Sequence, residues 1–273
     1  MFTRAIPSSS QQLPVIGLGT WKTFDVSHAD KNPELLNVLN EMKNGGGKLI
    51  DSSPMYGRSE EVIGQLSQST NDADHFFYAT KVWTTGRDQG IQQMKSSLKK
   101  LRREHIDLMQ IHNLVDWKTH LKTLREWKEQ GLVKYIGFTH YTDSMHGELE
   151  ELMRKEKPDF VQFNYSIFAR NAEKRLLPAA GELGIATLIN RPFGEGAWFS
   201  KVKNKNLPSF ARELGIYSWS QFFLKFIIAH PSVTCVIPAT SSPEHMVDNL
   251  KAAAGPLPDK EQLEKMAEFV LSL

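Results

Sequence analysis

Four residues in the first half of the chain, Asp51, Tyr56, Lys81 and His112, could together move a proton. A phenol ordinarily titrates at about pH 10, and an ammonium beside it favours the phenolate and lowers that value. A carboxylate next to the same ammonium would hold it charged and in place. Taken singly, each has a plainer reading: Tyr56 as a rim aromatic, Lys81 as a snorkelling surface lysine, Asp51 as a helix cap, His112 as a satisfied core histidine. Their combination favours chemistry, because all four sit at the ends of three consecutive strand-like segments. Lys81, inside Phe77-Tyr78-Ala79-Thr80-Lys81-Val82, would also be costly to bury without a partner.

The elements that must position them alternate along the chain. Short apolar runs read as strands at Pro14 to Trp21, Lys48 to Ser52, Phe76 to Val82, Ile106 to His112, Tyr135 to Thr139, Phe160 to Asn164, Ile185 to Ile189 and Val233 to Pro238. Between them, apolar residues at helical spacing predict helices over Glu34 to Lys43, Glu60 to Gln68, Ile91 to Arg103, His120 to Glu129, Gly147 to Lys155, Glu173 to Leu183, Phe210 to His230 as one or two helices, and Pro243 to Ala253. Eight buried strands each followed by a helix are what an α/β protein of the (β/α)8 TIM-barrel class requires. A doubly wound open sheet is the competing architecture, but Gly17-Leu18-Gly19-Thr20-Trp21-Lys22 lacks the third glycine of a dinucleotide fingerprint. The expectation is one barrel domain over residues 1–273, with a short lead-in (1–12) and an extra C-terminal helix (259–273). In such a barrel, polar residues at the C-terminal strand ends build the site.

Composition narrows the partners. The 273 residues carry 33 Lys and Arg against 31 Asp and Glu, so the net charge of +2 gives no reason to expect nucleic acid as a partner. No apolar stretch approaches the roughly 18 residues of a membrane span, and Phe222 to Ala229 is interrupted by Lys225. Met1 to Ala5 lack the apolar core of a secretory signal, which points to the cytoplasm unless a leader has been removed. The single cysteine, Cys235, cannot form an internal disulfide, and the chain is long enough to hold a core without one. A monomer is expected.

The residues around the four candidates resemble the aldo-keto reductase family. Gly47-Lys48-Leu49-Ile50-Asp51-Ser52-Ser53-Pro54-Met55-Tyr56-Gly57-Arg58-Ser59-Glu60 looks like that family's signature, in which an aspartate precedes the catalytic tyrosine by five positions. Ala79-Thr80-Lys81-Val82-Trp83 is similar to its lysine strand. Ser97-Leu98-Lys99-Lys100-Leu101 and Ile106-Asp107-Leu108-Met109-Gln110-Ile111-His112 are similar to the segment that leads to its histidine. The resemblance implies a metal-free barrel reductase that moves hydride from a nicotinamide cofactor to an aldehyde or ketone. It makes Tyr56 the general acid and His112 the residue that orients the carbonyl. Lys81, paired with Asp51, lowers the Tyr56 pKa.

The same resemblance suggests a cofactor set. Gln162 stands where the nicotinamide carboxamide is bound, and Thr139-His140 where the family usually has Ser-Asn. Asn190 takes the place of a stacking aromatic, with the planar guanidinium of Arg191 beside it; Thr20, Trp21 and Asp51 complete that end. At the adenine end, Thr240, Ser241, Ser242, His245 and Asn249 match in frame, but Ala239 and His245 replace the usual lysine and arginine. The resemblance implies NADPH over NADH, and the two replacements make the 2′-phosphate site atypical. Lys201, Lys203 and Lys205 could fold over a pyrophosphate or be a solvated loop. Trp21, Met55 and Trp83, with His112 and Asn113, are expected to wall a hydrophobic or aromatic carbonyl substrate. Two other readings stay open: a lyase using Lys81 as a Schiff-base amine, and a nicotinamide-binding regulatory subunit with little turnover.

Overall fold

The computed structural model describes residues 1–29, 32–70 and 73–273. Parallel strands run in sequence order around a barrel: β3 (Leu18–Gly19), β4 (Leu49–Asp51), β5 (Phe77–Val82), β6 (Ile106–His112), β7 (Val133–Thr139), β8 (Phe160–Asn164), β9 (Ala186–Asn190) and β10 (Cys235–Val236). The first and last meet at a seam of parallel bridges, Ile16 to Val236 and Gly19 to Ala239, which turns an eight-stranded sheet into a barrel. Two glycines permit that seam. Across the seam, a Cβ on Gly17 would stand 3.1 Å from Cys235 Sγ, and one on Gly19 2.8 Å from the Ile237 carbonyl oxygen. Close backbone approach, rather than phosphate binding, accounts for the Gly17-Leu18-Gly19 spacing.

Helices cover the outside: α1 (Pro33–Asn44), α2 (Ser59–Ser69), α3 (Arg87–Leu101), α4 (Trp117–Glu129), α5 (His146–Glu156), α6 (Leu176–Leu183), α7 (Ala197–Lys201), α8 (Trp219–Ala229), α9 (Pro243–Lys251) and α10 (Lys260–Leu271). In α4, Leu121, Leu124 and Trp127 recur at helical spacing and are buried. The terminal α10 starts at a capping box, with Asp259 and Gln262 satisfying each other's backbone N–H. Among the described residues no helix is long and apolar enough to cross a membrane.

Several sequence expectations change in detail. Within the short lead-in and just after it, β1 (Thr3–Ala5) and β2 (Gln12–Pro14) form an antiparallel hairpin that packs Ile6 and Leu13 against the barrel's inner core. Pro14 belongs to that hairpin, so the strand expected over Pro14 to Trp21 contributes only Leu18–Gly19 to the barrel sheet. Val233 to Pro238 likewise contributes only Cys235–Val236. Glu173 to Leu183 divides into a 3-10 turn at Asn171–Lys174 followed by α6, and Phe210 to His230 into a 3-10 turn at Ser209–Leu214 followed by α8.

Side-chain alternation along the strands explains where chemistry can sit. Alternate residues of a strand face one side. The inner core contains Leu49, Phe77, Ala79, Leu108, Tyr135, Phe160, Ala186 and Leu188, whereas Ile50, Tyr78, Met109, Ile111, Ile136, Phe138, Val161, Phe163 and Ile189 pack outward in the larger core that includes the helices. Continuing the inward register toward the C-terminal ends changes its character. Asp51 follows Leu49, Lys81 follows Ala79, Gln110 and His112 follow Leu108, Gln162 follows Phe160 and Asn190 follows Leu188. The lower barrel is thus filled with apolar groups, and its upper layer is polar.

Candidate active site

At that upper layer Lys81 and Asp51 form a buried ion pair. Lys81 Nζ donates to Asp51 Oδ2 at 2.6 Å and to the Ser52 carbonyl at 2.7 Å, with side chains 0% and 3% exposed. The other carboxylate oxygen, Oδ1, accepts from Gln110 Nε2 at 3.1 Å and Gln162 Nε2 at 2.9 Å. The Thr20 hydroxyl donates to the Asp51 carbonyl, which ties β4 to the loop after β3. A buried charge needs this density of partners to remain charged. Burial works against the Lys81 ammonium, but the Asp51 carboxylate and the Tyr56 phenol outweigh it, and its pKa is raised.

The Lys81 ammonium lies 5.0 Å from the centroid of the Tyr56 ring, and Tyr56 meets His112 edge to face at 5.9 Å. The tetrad therefore converges on one spot. Its electrostatics differ from the sequence expectation in one respect. Burial raises the Tyr56 pKa more than Lys81 lowers it, with Asp51 adding to the rise, so the phenol is shifted upward and not downward. His112 is pushed down to about 2 by burial, with the Lys81 charge and His140 adding to the effect. It is a neutral imidazole at physiological pH.

A cavity of about 630 Å³ opens above these groups. Of the residues expected in the site, Thr20, Trp21, Asp51, Met55, Tyr56, His112, Asn113, Thr139, Gln162, Asn190 and Arg191 line it. Lys81 lies beneath, and Trp83 stands at the rim with its ring 6.4 Å from His112. The Thr139 hydroxyl donates to Gln162 Oε1 at 3.0 Å. Gln162 gives one amide N–H to Asp51 and its oxygen accepts from Thr139, so one N–H and one lone pair of that oxygen remain for a ligand. Asn190 Oδ1 is buried and has no hydrogen-bond partner among the described residues.

Other expected residues lie off the cavity. His140 stacks on Tyr141 at 5.3 Å, and its Nδ1 accepts from the backbone N–H of Tyr141 and Thr142. Thr240, Ser241, Ser242, His245 and Asn249 belong to the stretch that continues from Ala239, which does line it, into α9. Thr240 Oγ1 accepts from the Ser242 N–H, the Ser242 hydroxyl caps α9 by accepting from the His245 N–H, and Asn249 is buried within the helix. Lys201, Lys203 and Lys205 are exposed and line no part of the cavity; the Lys201 ammonium instead sits 5.7 Å from the Phe168 ring centroid.

Among the cavity-lining residues outside the sequence expectation, Lys22, Tyr141, Glu195 and Phe199 shape the mouth. Lys22 and Glu195 pair at 3.5 Å across the mouth, Glu195 also pairs with Arg191 at 3.0 Å, and the Arg191 guanidinium covers the Tyr141 ring at 5.5 Å. These side chains are 36% exposed or more, so the pairs are worth about 0–1 kcal/mol each and make a clasp that is easily opened. In this arrangement Arg191 covers Tyr141 and pairs with Glu195. Phe199 closes the far wall, packed on Phe193 at 4.9 Å. Gln110, beneath the cavity, was also missed, although its position two residues before His112 puts it on the same inward face.

Comparison with known proteins identifies the family and the fold. The chain matches the model of the aldo/keto reductase family over residues 15–270. It is 27% identical over 191 residues to the aldo-keto reductase YhdN of Bacillus subtilis, a match covering 64% of this chain and 56% of that protein. It is 23% identical over 291 residues to the uncharacterized oxidoreductase YqkF of the same organism, covering 93% and 91%. Among solved structures, it resembles an aldo-keto reductase from Klebsiella pneumoniae in complex with NADPH, with a TM-score of 0.84 and 22% identity over 99% of this chain and 96% of that one. A second is the holo form of aldo-keto reductase AKR11C1 from Bacillus halodurans, with a TM-score of 0.80 and 18% identity over 99% and 96%. The chain belongs to the aldo/keto reductase family and is an oxidoreductase built on a (β/α)8 barrel.

Proposed function

We propose that this protein reduces an aldehyde or ketone to an alcohol, with Tyr56 as the proton donor to the carbonyl oxygen. The observation that carries this reading is the stack of groups under the cavity: a carboxylate, an ammonium held charged by it, and a phenol facing that ammonium. When bound, a reduced nicotinamide supplies hydride to the carbonyl carbon. The chain's own part is the proton. With its pKa raised, the Tyr56 hydroxyl carries its proton throughout the physiological range. As the phenol gives that proton up, the adjacent Lys81 charge stabilises the phenolate, and Asp51, fixed by Gln110 and Gln162, keeps Lys81 charged. The neutral His112 hydrogen-bonds the carbonyl without competing for the proton.

The residues present suit a nicotinamide. Asn190 Oδ1 is an orphaned acceptor, and Gln162 Oε1 beside Thr139 adds a second; both suit the N–H groups of a carboxamide. At the other end Thr240, Ser241, Ser242, His245 and Asn249, with the start of α9, would take the adenosine phosphate, without the usual lysine and arginine. The NADPH complex of the Klebsiella pneumoniae relative favours NADPH over NADH. Trp21, Met55, Trp83, Tyr141 and Phe199 are 36–46% exposed around the mouth, which suits a hydrophobic or aromatic carbonyl compound. The Schiff-base reading of Lys81 is disfavoured by its pairing with Asp51, which keeps the amine protonated and poorly nucleophilic. Following oxidation of NADPH and NADH against a panel of aldehydes, ketones and quinones tests the proposal. Turnover is expected with apolar carbonyls, and no oxidation with any of them would refute it.

A further inference from the structure

His112 has two ring nitrogens with different surroundings. Nδ1 lies 3.0 Å from the hydroxyl of Ser53, a side chain with no solvent exposure. Nε2 has no hydrogen-bond partner among the described residues, and the ring helps line the cavity. A neutral imidazole carries one proton, and only the nitrogen that bears it can donate.

The Ser53 hydroxyl settles where that proton goes. Its oxygen already accepts from the backbone N–H of Met55 at 3.3 Å, and His112 Nδ1 is its only other partner among the described residues. Were Nδ1 protonated, the oxygen would accept twice and its own proton would be buried with no acceptor, at a cost of about 1–3 kcal/mol. If the hydroxyl donates to Nδ1, every group is satisfied: Met55 N–H gives to Oγ, and Oγ–H gives to Nδ1. We propose that Ser53 is a positioning residue that fixes His112 as the Nε2–H tautomer, so that the imidazole presents a hydrogen-bond donor, and not an acceptor, to a carbonyl oxygen in the cavity.

The lone pair on the other tautomer would repel that oxygen, so tautomer choice separates a productive His112 from an inhibitory one. Ser53 lies on the short turn between Asp51 and Tyr56, so the residues that hold the ammonium, the imidazole and the phenol belong to one segment of six residues. The assignment of the proton stands on the geometry alone. Its consequence for turnover rests on the carbonyl-reductase reading above.

Long-range ¹H–¹⁵N correlation spectra of the full-length protein test the two parts separately. The chain has nine histidines, and the His112 signals are assigned by their loss in His112→Gln. In the native protein at neutral pH we expect a protonated Nε2 and an unprotonated Nδ1; a protonated Nδ1 overturns the proposal without any variant. Ser53→Ala is expected to populate the Nδ1–H tautomer and to lower kcat about 10-fold, within the roughly 10²–10³ bound for losing one oxyanion donor outright. Ser53→Thr, which keeps the hydroxyl, is expected to restore both readouts. A Ser53→Ala protein that stays wholly Nε2–H overturns the role of Ser53. A tautomer change with unaltered turnover supports the proton assignment and instead overturns the place of His112 in carbonyl reduction.

Discussion

Lys81 and Asp51 meet at 2.6 Å with side chains 0% and 3% exposed, and Gln110 and Gln162 hold the far oxygen of the carboxylate. Removing one partner leaves an uncompensated buried charge, which typically costs 3–5 kcal/mol. Asp51→Asn should therefore destabilise the protein by about that much in urea unfolding. In a double-mutant cycle, Lys81→Met combined with Asp51→Leu should cost less than the sum of its parts. Additive losses would mean that the two charges do not depend on each other.

The pH dependence of turnover should lack a histidine limb. His112 lies at about 2, and both Tyr56 and Lys81 are raised above their ordinary values of 10.0 and 10.5. Reduction should thus be flat in kcat from about pH 6 to 9, falling only when the phenol ionises in alkali. A limb near pH 6.5 that disappears in His112→Gln would contradict the neutral imidazole.

Acid should expose the same group through stability. On unfolding, the His112 ring regains a pKa of about 6.5, so below that pH the unfolded chain binds a proton the folded one refuses. Stability is lost as pH falls through the window from about 6.5 toward 2, by at most about 1.4 kcal/mol per pH unit. Urea titrations of the wild type and His112→Gln at pH 7 and pH 5 should differ in their pH dependence by about 2 kcal/mol, the variant losing less. Equal losses would place the histidine in a wetter environment.

Much of this was legible in the residues, and the reasons for the exceptions are physical. Strand alternation was clear because parallel strands buried on both faces read as apolar runs, and the tetrad was clear because rare titratable types ended those runs. The hairpin at the N-terminus was not, since Gln12-Leu13-Pro14 is short and ends in proline. The direction of the Tyr56 shift was misjudged because sequence shows the neighbouring ammonium but not the burial that outweighs it. Tyr141, Glu195 and Phe199 were missed because a loop, a 3-10 turn and a five-residue helix are too short to show periodicity. Their place at the mouth follows only from how β7 and β9 are arranged.

Lys225 makes a further structural prediction. On α8 it is fully buried, with its ammonium donating to the carbonyls of Leu214 and Ala254 at 2.6 Å and Pro256 at 3.2 Å. It pins the turn before α8 to the chain following α9. Lys225→Met fills the space but strands three acceptors, so a loss of roughly 3 kcal/mol is expected by chemical denaturation. An unchanged midpoint would show that water replaces the ammonium at no cost.

The central claim is that Tyr56 gives the proton, and Tyr56→Phe tests it most directly because it deletes one oxygen and leaves the ring. Turnover with a reactive aldehyde and NADPH should fall by about 10²–10⁴-fold. NADPH binding, followed by quenching of tryptophan fluorescence, should stay within a few-fold of the wild type. Carbonyl reduction by the Phe variant at an undiminished rate would contradict the account.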